Sequence, residues 1–287
     1  MLRLAVATRA ETFERIAAPL AERGIEVSHV RTAERTLPLA EPGSEFEGFD
    51  AGFVYPSRAM EGGVADALLD VPWVNDREAV LTSRNKAGVL AALARAGLPV
   101  PETVLMSNPV EETALRDAFE RFEPPVVVKP NSTTRGTGVT KVGDLDSLLG
   151  VADYLNLIHD SPAAGDRSFL LQEYLPEVRD YRAMVVDGAY AGAVERRPPG
   201  EARAADRWKH NVHRGAAATG VSLPDDRREL AERAADVLEI PWLGVDLLAS
   251  PERVVINETN ARPTVDAATK YEPGFYDRLA TLIRAQV

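Results

Sequence analysis

The chain has 287 residues, a net charge of −11 and no cysteine. That length allows two or three subdomains with cores of their own. The missing cysteines exclude disulfides and thiolate chemistry, and the acidic balance argues against a general binder of nucleic acids or acidic membranes. No apolar run approaches the roughly 20 residues of a membrane span. The sequence enters a strand-like segment at once, with no signal-peptide cleavage region, so a cytoplasmic location is expected.

Residues 1–78 pattern as a small α/β unit: strands at 2–7, 25–30 and 51–55, helices at 11–23 and 58–69. The first strand leads into Ala-Thr-Arg-Ala-Glu without a Gly-x-Gly-x-x-Gly, which argues against a dinucleotide site. Residues 73–82 read as a link. A helix is expected from Arg84 with Ser83 as its N-cap, ending at Gly97. Lys86 falls in the first turn, where a positive charge opposes the helix dipole and hints at an anionic partner.

The next unit spans about 100–175. A strand at 125–130 ends in Val-Val-Val-Lys129 and runs into Asn131-Ser-Thr-Thr134-Arg-Gly136-Thr-Gly138. Glycines that permit positive φ, and small hydroxyl residues, leave backbone N–H groups free to approach a phosphate. No Gly-Lys-Ser/Thr follows, so this is not a Walker loop. A strand at 139–142, a helix at 144–159 and an apolar strand over 169–176 that turns polar at its end complete the unit.

Beyond it, a hairpin turns at Asp187-Gly188, and residues 225–238 pattern as a helix. From Arg179 to Arg214, eight basic residues stand against five acidic ones, a local excess that suits small anions or simply a mixed-charge surface. Arg196-Arg197 reads either as a surface pair or as a site where Arg196 binds a substrate carboxylate. His210 and His213 have the spacing of a metal pair, but no third ligand stands near them. Residues 244–248 and 254–260 read as two strands joined by a turn at Pro251. A three-residue turn sets Asp246 opposite Glu258, with Asn260 on the same face. Such oxygen ligands suit magnesium; the alternative is a turn-capping Asp246 and an exposed strand end. Helical segments from Thr264 and from Phe275 close the chain.

In this order, Arg84-Asn85-Lys86, Val127-Val128-Lys129, Arg135-Gly136-Thr137-Gly138, Gln172-Glu173-Tyr174-Leu175 and Asp180-Tyr181-Arg182 resemble the ATP-grasp superfamily, and within it the RimK-like carboxylate–amine ligases. Lys209-His210-Asn211 through Gly215, Gly244-Val245-Asp246 and Asn257-Glu258-Thr259-Asn260 extend the resemblance over about residues 80–265. It implies an α/β (α+β) ATP-grasp fold with a small Rossmann-like N-terminal domain over 1–80. A linker helix and lid subdomain would span 81–175, and a C-terminal subdomain with the metal and substrate sites 176–287.

The resemblance further implies ATP as cofactor, with two magnesium ions, or manganese in their place, on Asp246, Glu258 and Asn260. Lys86 and Lys129 would contact phosphates, and the loop carrying Thr134, Gly136 and Gly138 would close over them. Glu173, Tyr174 and Leu175 would hold adenine, with Asp180 near the ribose. Lys209, His210 and Asn211 would touch phosphate or nucleotide. Arg214 would meet the γ-phosphate, Arg182 or Arg214 a tetrahedral oxyanion, and Arg196 a substrate carboxylate. The implied substrates are a small-molecule carboxylate and an amine, including a peptide or coenzyme tail, with no nucleic acid and no membrane; a homo-oligomer is usual. A non-catalytic ATP-binding module and a dipeptide or cell-wall-type ligase are the alternatives. Where such relatives follow the last metal ligand with small residues and Pro-Gly, this chain has Ala261-Arg262-Pro263-Thr264, so Arg262 is expected to help bind an anionic acceptor. Lys209 stands where an arginine is frequent.

Overall fold

Short strands alternating with helices at the start of the chain build a four-stranded parallel sheet in the computed structural model. The structure describes residues 1–7, 11–134, 136–159, 165–197, 217–267 and 270–287. β1 (Leu2–Val6), α1 (Glu11–Ala21), β2 (Ile25–His29), β3 (Ala51–Val54), α2 (Ala59–Leu69) and β4 (Trp73–Asn75) give the order β2-β1-β3-β4. The expected link at 73–82 is therefore corrected. It holds β4 and most of α3 (Arg77–Arg84), whose N-cap Asp76 accepts the Ala79 N–H at 2.9 Å.

Ser83 is likewise not a cap. It lies buried inside α3, while Asn85 caps α4 (Lys86–Arg95) by accepting the Gly88 N–H at 3.1 Å. A carboxamide at this position reaches the third amide of the new helix, which fixes the boundary two residues later than expected.

β5 (Thr103–Ser107), α5 (Glu112–Phe119), β6 (Val126–Pro130), β7 (Thr140–Val142), α6 (Leu145–His159) and β8 (Ser168–Glu173) form an antiparallel unit in the order β5-β8-β6-β7. The remaining sheet is antiparallel and five-stranded. Its strands are β9 (Arg179–Val186), β10 (Ala189–Arg197), β11 (Ala217–Val221), β12 (Trp242–Ala249) and β13 (Val254–Asn260), in the order β11-β10-β9-β12-β13. β9 and β10 are joined through Asp187 (φ 51°) and Gly188 (φ 71°), the left-handed pair that a tight hairpin requires. The helices α7 (Asp225–Leu238) and α8 (Phe275–Arg284) match expectation.

The helix expected from Thr264 does not form over the described residues. Pro263 disfavours helical geometry in the residue before it, and the following amides bond elsewhere: Val265 N–H to the Thr12 hydroxyl and Asp266 N–H to the Tyr271 hydroxyl.

Two hydrophobic cores result. One runs through both the parallel and the five-stranded sheets, with Leu4, Ile16, Phe53, Val185, Trp242 and Leu279 all buried. The other lies within the four-stranded antiparallel unit, around Leu115, Val128, Leu148 and Phe169. Across the first core, Phe53 meets Trp242 at 5.4 Å between ring centroids, and Trp242 meets Phe275 at 6.0 Å. Asn75 at the end of β4 is fully buried and pins the same junction. Its Nδ2 donates to the carbonyls of Trp242 and Ala261 at 2.6 Å each, and its Oδ1 accepts from Trp242 N–H at 3.3 Å. Asn75→Leu would leave these backbone groups buried without partners, so a loss on the order of 3 kcal/mol in unfolding free energy is expected. Urea denaturation of the two proteins checks it; an unchanged midpoint would show that the bridge carries no stability.

Candidate active site

One face of the five-stranded sheet gathers the charged residues. Strand alternation and register place Asp246 on β12 between Arg182 of β9 and Glu258 of β13. Asp180 pairs with Arg196 across β9 and β10, and Asn260 lies opposite Gly244. The expectation that Asp246 faces Glu258 is thus met in the pairing itself.

Asp246 has no exposed surface. Its carboxylate takes a bidentate fork from Arg182, Nε to Oδ1 at 2.6 Å and Nη2 to Oδ2 at 2.7 Å, and Arg196 Nη2 adds a contact to Oδ2 at 2.9 Å. Arg196 also reaches Asp180 Oδ1 at 2.5 Å. Burial alone would raise the Asp246 pKa, but Arg182 and then Arg196 hold it well below the usual carboxylate range. For Arg196, burial opposes the charge and the two aspartates overcome it, so its pKa is raised. Two carboxylates and two guanidiniums thus cancel one another. Arg196 is committed to this lattice, with its side chain only 13% exposed, and does not stand open toward a substrate as expected. Arg182 keeps its Nη1 clear of Asp246.

β13 is not regular. The register slips between Asp246 and Leu247, leaving Asn257 as an extra residue between Ile256 and Glu258. The bulge re-aims Asn257, whose Oδ1 accepts from Lys129 Nζ at 3.2 Å. Lys129, at the end of β6, is buried, and burial pushes its pKa down to about 8 against the opposing pull of Glu258. Lys86 begins α4 and is also buried, with its pKa lowered by burial. Its ammonium donates to the carbonyl of Asn131 at 3.2 Å and to that of Thr133, both at the start of the glycine loop. The unfavourable charge at a helix N-terminus is thus satisfied by the loop itself. Glu258 is half-buried, and no hydrogen bond or ion pair holds it among the described residues. Its negative charge supports both lysines.

The loop folds back through a Thr137 N–H to Thr134 carbonyl bond at 3.3 Å, with Gly136 at φ 67° and Gly138 at φ 77°. A Cβ at Gly138 would come within 2.8 Å of the Pro130 ring, so two constraints require glycine there. At the opposite rim, Glu173 is fixed by Arg253 and by accepting the Glu102 N–H at 2.6 Å. Its own N–H donates to the Glu102 carbonyl at 3.0 Å, so adenine would have to be met by its carbonyl and by the backbone of Tyr174 and Leu175. Lys141 Nζ sits 4.7 Å from the centre of the Tyr174 ring, a cation–π contact that frames this rim. Asp180, expected near a ribose, is buried against Arg196.

Lys209, His210, Asn211 and Arg214, with His213 beside them, lie outside the described residues. Sequence reasoning assigned no role to Asn131, Asn257 or Lys141. Asn131 accepts from the Ala87 N–H at 2.8 Å and donates to Asn85 Oδ1 at 3.0 Å, tying the lysine-bearing helix to the loop. Its place directly after Lys129-Pro130 was the available signal.

Whether these residues suit magnesium turns on their free oxygens. Among the described residues no cluster of three or more His, Cys, Asp or Glu can hold a metal, so an Asn must complete the set. A carboxylate has about four acceptor sites; the arginines take three on Asp246, leaving one on Oδ1. Among the described residues Glu258 contributes an unbonded carboxylate, and Asn260 Oδ1 accepts only the Arg262 N–H at 2.8 Å. An all-oxygen set of mixed charge fits the ion.

Residues 83–274 match the sequence profile of the RimK-like ATP-grasp domain. The ribosomal protein bS6–L-glutamate ligases of Shigella boydii and of Escherichia coli K12 are each 30% identical over 199 residues, covering 69% of this chain. The chain spans 62% of the length of these curated relatives. Among solved structures, a RimK domain ATP-grasp protein from Sphaerobacter thermophilus superimposes with a TM-score of 0.68 at 22% identity, covering 98% of this chain and 99% of that one. The D-alanine–D-alanine ligase of Bacillus anthracis complexed with ATP gives 0.71 at 15% identity, covering 100% and 97%. These likenesses establish the ATP-grasp fold.

The buried Lys129 makes stability depend on pH in a definite direction. Between its folded value of about 8 and its ordinary 10.5, the unfolded chain holds the proton that the folded chain releases. Stability therefore rises with pH through that window. Ligand-free Lys129→Met is expected to melt about 5 °C above wild type at pH 7, with the gap closing by about pH 10. Calorimetric scans across this range check it; equal melting at pH 7 would mean that the ammonium is not under strain.

Proposed function

The chain belongs to the RimK-like ATP-grasp family, and from that premise we propose that it is an ATP- and magnesium-dependent ligase joining a carboxylate to an amine through an acylphosphate. The observation that carries this reading is the opposition of two buried lysines, Lys86 and Lys129, to an unbonded Glu258 beside Asp246 and Asn260. Buried cations without a bonded carboxylate suit a polyphosphate. The oxygen set across from them suits the ion that accompanies one.

The chemistry follows from the leaving group. A carboxylate resists amines because hydroxide leaves poorly. An oxygen of the acid attacks the γ-phosphorus, the bond to the β-phosphate breaks, and ADP departs with that electron pair. The amine then attacks the acyl carbon, phosphate leaves, and the amine gives up its proton. When bound at Asp246, Glu258 and Asn260, magnesium supplies charge neutralisation on the phosphates. Lys129 and Lys86 bind and orient the phosphates, and arrival of the anion offsets the cost of burying the Lys129 ammonium. Arg182, held rigid by Asp246, points its Nη1 where the tetrahedral oxyanion develops. The loop of Thr134, Gly136 and Gly138 excludes water from the acylphosphate. Backbone groups from Glu173 to Leu175 hold the adenine.

In this reading residues 1–80 form a pre-ATP-grasp domain, 81–175 the linker helix and lid, and 176–287 the subdomain with the metal and substrate sites. The relatives named above attach L-glutamate to ribosomal protein bS6. For this chain we place the product in the same class, an amino acid such as glutamate added to a peptide or coenzyme tail. The setting is the cytoplasm, and a homo-oligomer is in keeping with the family. Among the described residues no helix is long and apolar enough to cross a membrane.

Hydroxylamine tests the intermediate directly. With ATP, magnesium and a panel of amino acids and short peptides, the true acid is expected to form a hydroxamate while releasing ADP. Glu258→Gln is expected to lower that rate at least about a hundredfold. Release of AMP and pyrophosphate would overturn the acylphosphate route. ATP binding with no hydroxamate from any acid would make the chain a binding module.

A further inference from the structure

The turn that joins the two strands of the proposed metal set also reaches the rim assigned to the nucleotide base. β12 ends at Ala249 and β13 begins at Val254, and Ser250 closes the turn between them. Its N–H donates to the Arg253 carbonyl at 2.9 Å, and its hydroxyl donates to the same carbonyl and accepts the Arg253 N–H, at 3.1 Å each. Just beyond, the Ile256 N–H donates to the Pro99 carbonyl at 2.9 Å, which fixes β13 against the chain entering the antiparallel unit. From this anchored turn, Arg253 Nη2 donates to Glu173 Oε2 at the end of β8.

With Arg253 46% and Glu173 22% exposed at the side chain, such a pair adds little to stability. Its effect lies in what the rest of Glu173 presents. β5 and β8 run antiparallel with Thr103 opposite Gln172, and the Glu173 N–H continues their ladder by donating to the Glu102 carbonyl at 3.0 Å. In a regular antiparallel pair the return bond runs from the Glu102 N–H to the Glu173 carbonyl. Here that N–H donates instead to Glu173 Oε1 at 2.6 Å. The carboxylate stands in for the carbonyl of its own residue and relieves it of the ladder bond. One carboxylate oxygen is on Glu102 and the other on Arg253, so the acid group is held off the base while the carbonyl is left to meet it. A carbonyl accepts and cannot donate. Adenine offers an amino group where guanine offers an oxygen, so the carbonyl attracts the first and repels the second. A carboxylate swung loose to the same rim would accept from the ring N–H and amino group of guanine, and the Glu102 N–H could then reclaim the carbonyl.

We propose that Arg253 is a positioning residue that makes the site select adenine over guanine, by holding the Glu173 carboxylate on the Glu102 N–H. This rests on the placement of the base in the ligase reading, and its test measures binding rather than turnover. Calorimetry on the full chain with magnesium compares non-hydrolysable analogues of ATP and GTP. The wild type is expected to bind the ATP analogue at least about a hundredfold more tightly. Arg253→Ala is expected to cut that ratio at least about tenfold, with its melting temperature within about 2 °C of wild type. Arg253→Lys, which keeps a charged donor for Glu173, is expected to retain most of the ratio. A ratio unchanged in Arg253→Ala, including equal weakening of the two analogues, overturns the proposal. So does a wild type that binds both analogues equally well. Either result leaves wild-type ATP binding and hydroxamate formation, and with them the ligase reading, in place. A wild type that binds neither analogue overturns both.

Discussion

A carboxylate with no exposed surface sits in the middle of the five-stranded sheet, and two arginines keep it ionised. An isolated charge at that depth would neutralise itself by taking up a proton. Arg182 and Arg196 prevent this, and Asp180 in turn balances Arg196. Because this quartet is neutral, unbalanced charges near it among the described residues include Glu258 on one side and Lys86 and Lys129 on the other. The field left to act on a ligand therefore comes from groups with open coordination.

The geometry of those groups depends on details well below the level of the fold. One extra residue in β13 lets Asn257 reach Lys129 while Glu258 stays on the face of Asp246. Asn131 ties the start of α4 to the glycine loop, so Lys86 is delivered to the loop carbonyls by the same junction that caps its helix. In the reading proposed above, a phosphate entering here would replace carbonyl oxygens at Lys86, which would couple its binding to the position of the loop.

Much of this was legible in the sequence because it rests on period and turn chemistry. Two apolar strands around a short turn with Pro251 announced the pairing of Asp246 with Glu258, but the turn spans residues 250–253 rather than the expected 251–253, and the extra residue Asn257 is what restores the pairing. Asp187-Gly188 marked the hairpin of β9 and β10. What escaped is what no period encodes. A bulge alters the count by one residue and leaves the pattern of apolar residues intact, so Asn257 gave no sign of its partner. β4 is three residues long, too short for an alternation to register, and it exists because β3 offers it a parallel edge. Ser83 has the chemistry of a cap but is used as a buried link between α3 and β13.

The bridging Asn75 and the shared core have a consequence for motion. The parallel sheet and the five-stranded sheet are packed and hydrogen-bonded as one block, whereas the antiparallel unit between them in sequence has its own separate interior. Relative movement would flex the chain near Pro99 and after Glu173 and would also have to break bonds that cross between the blocks, among them Ala87 to Asn131 and Lys129 to Asn257. Under the ligase reading proposed above, opening to admit a nucleotide would loosen the glycine loop while the two sheets that share one core stay together as a block.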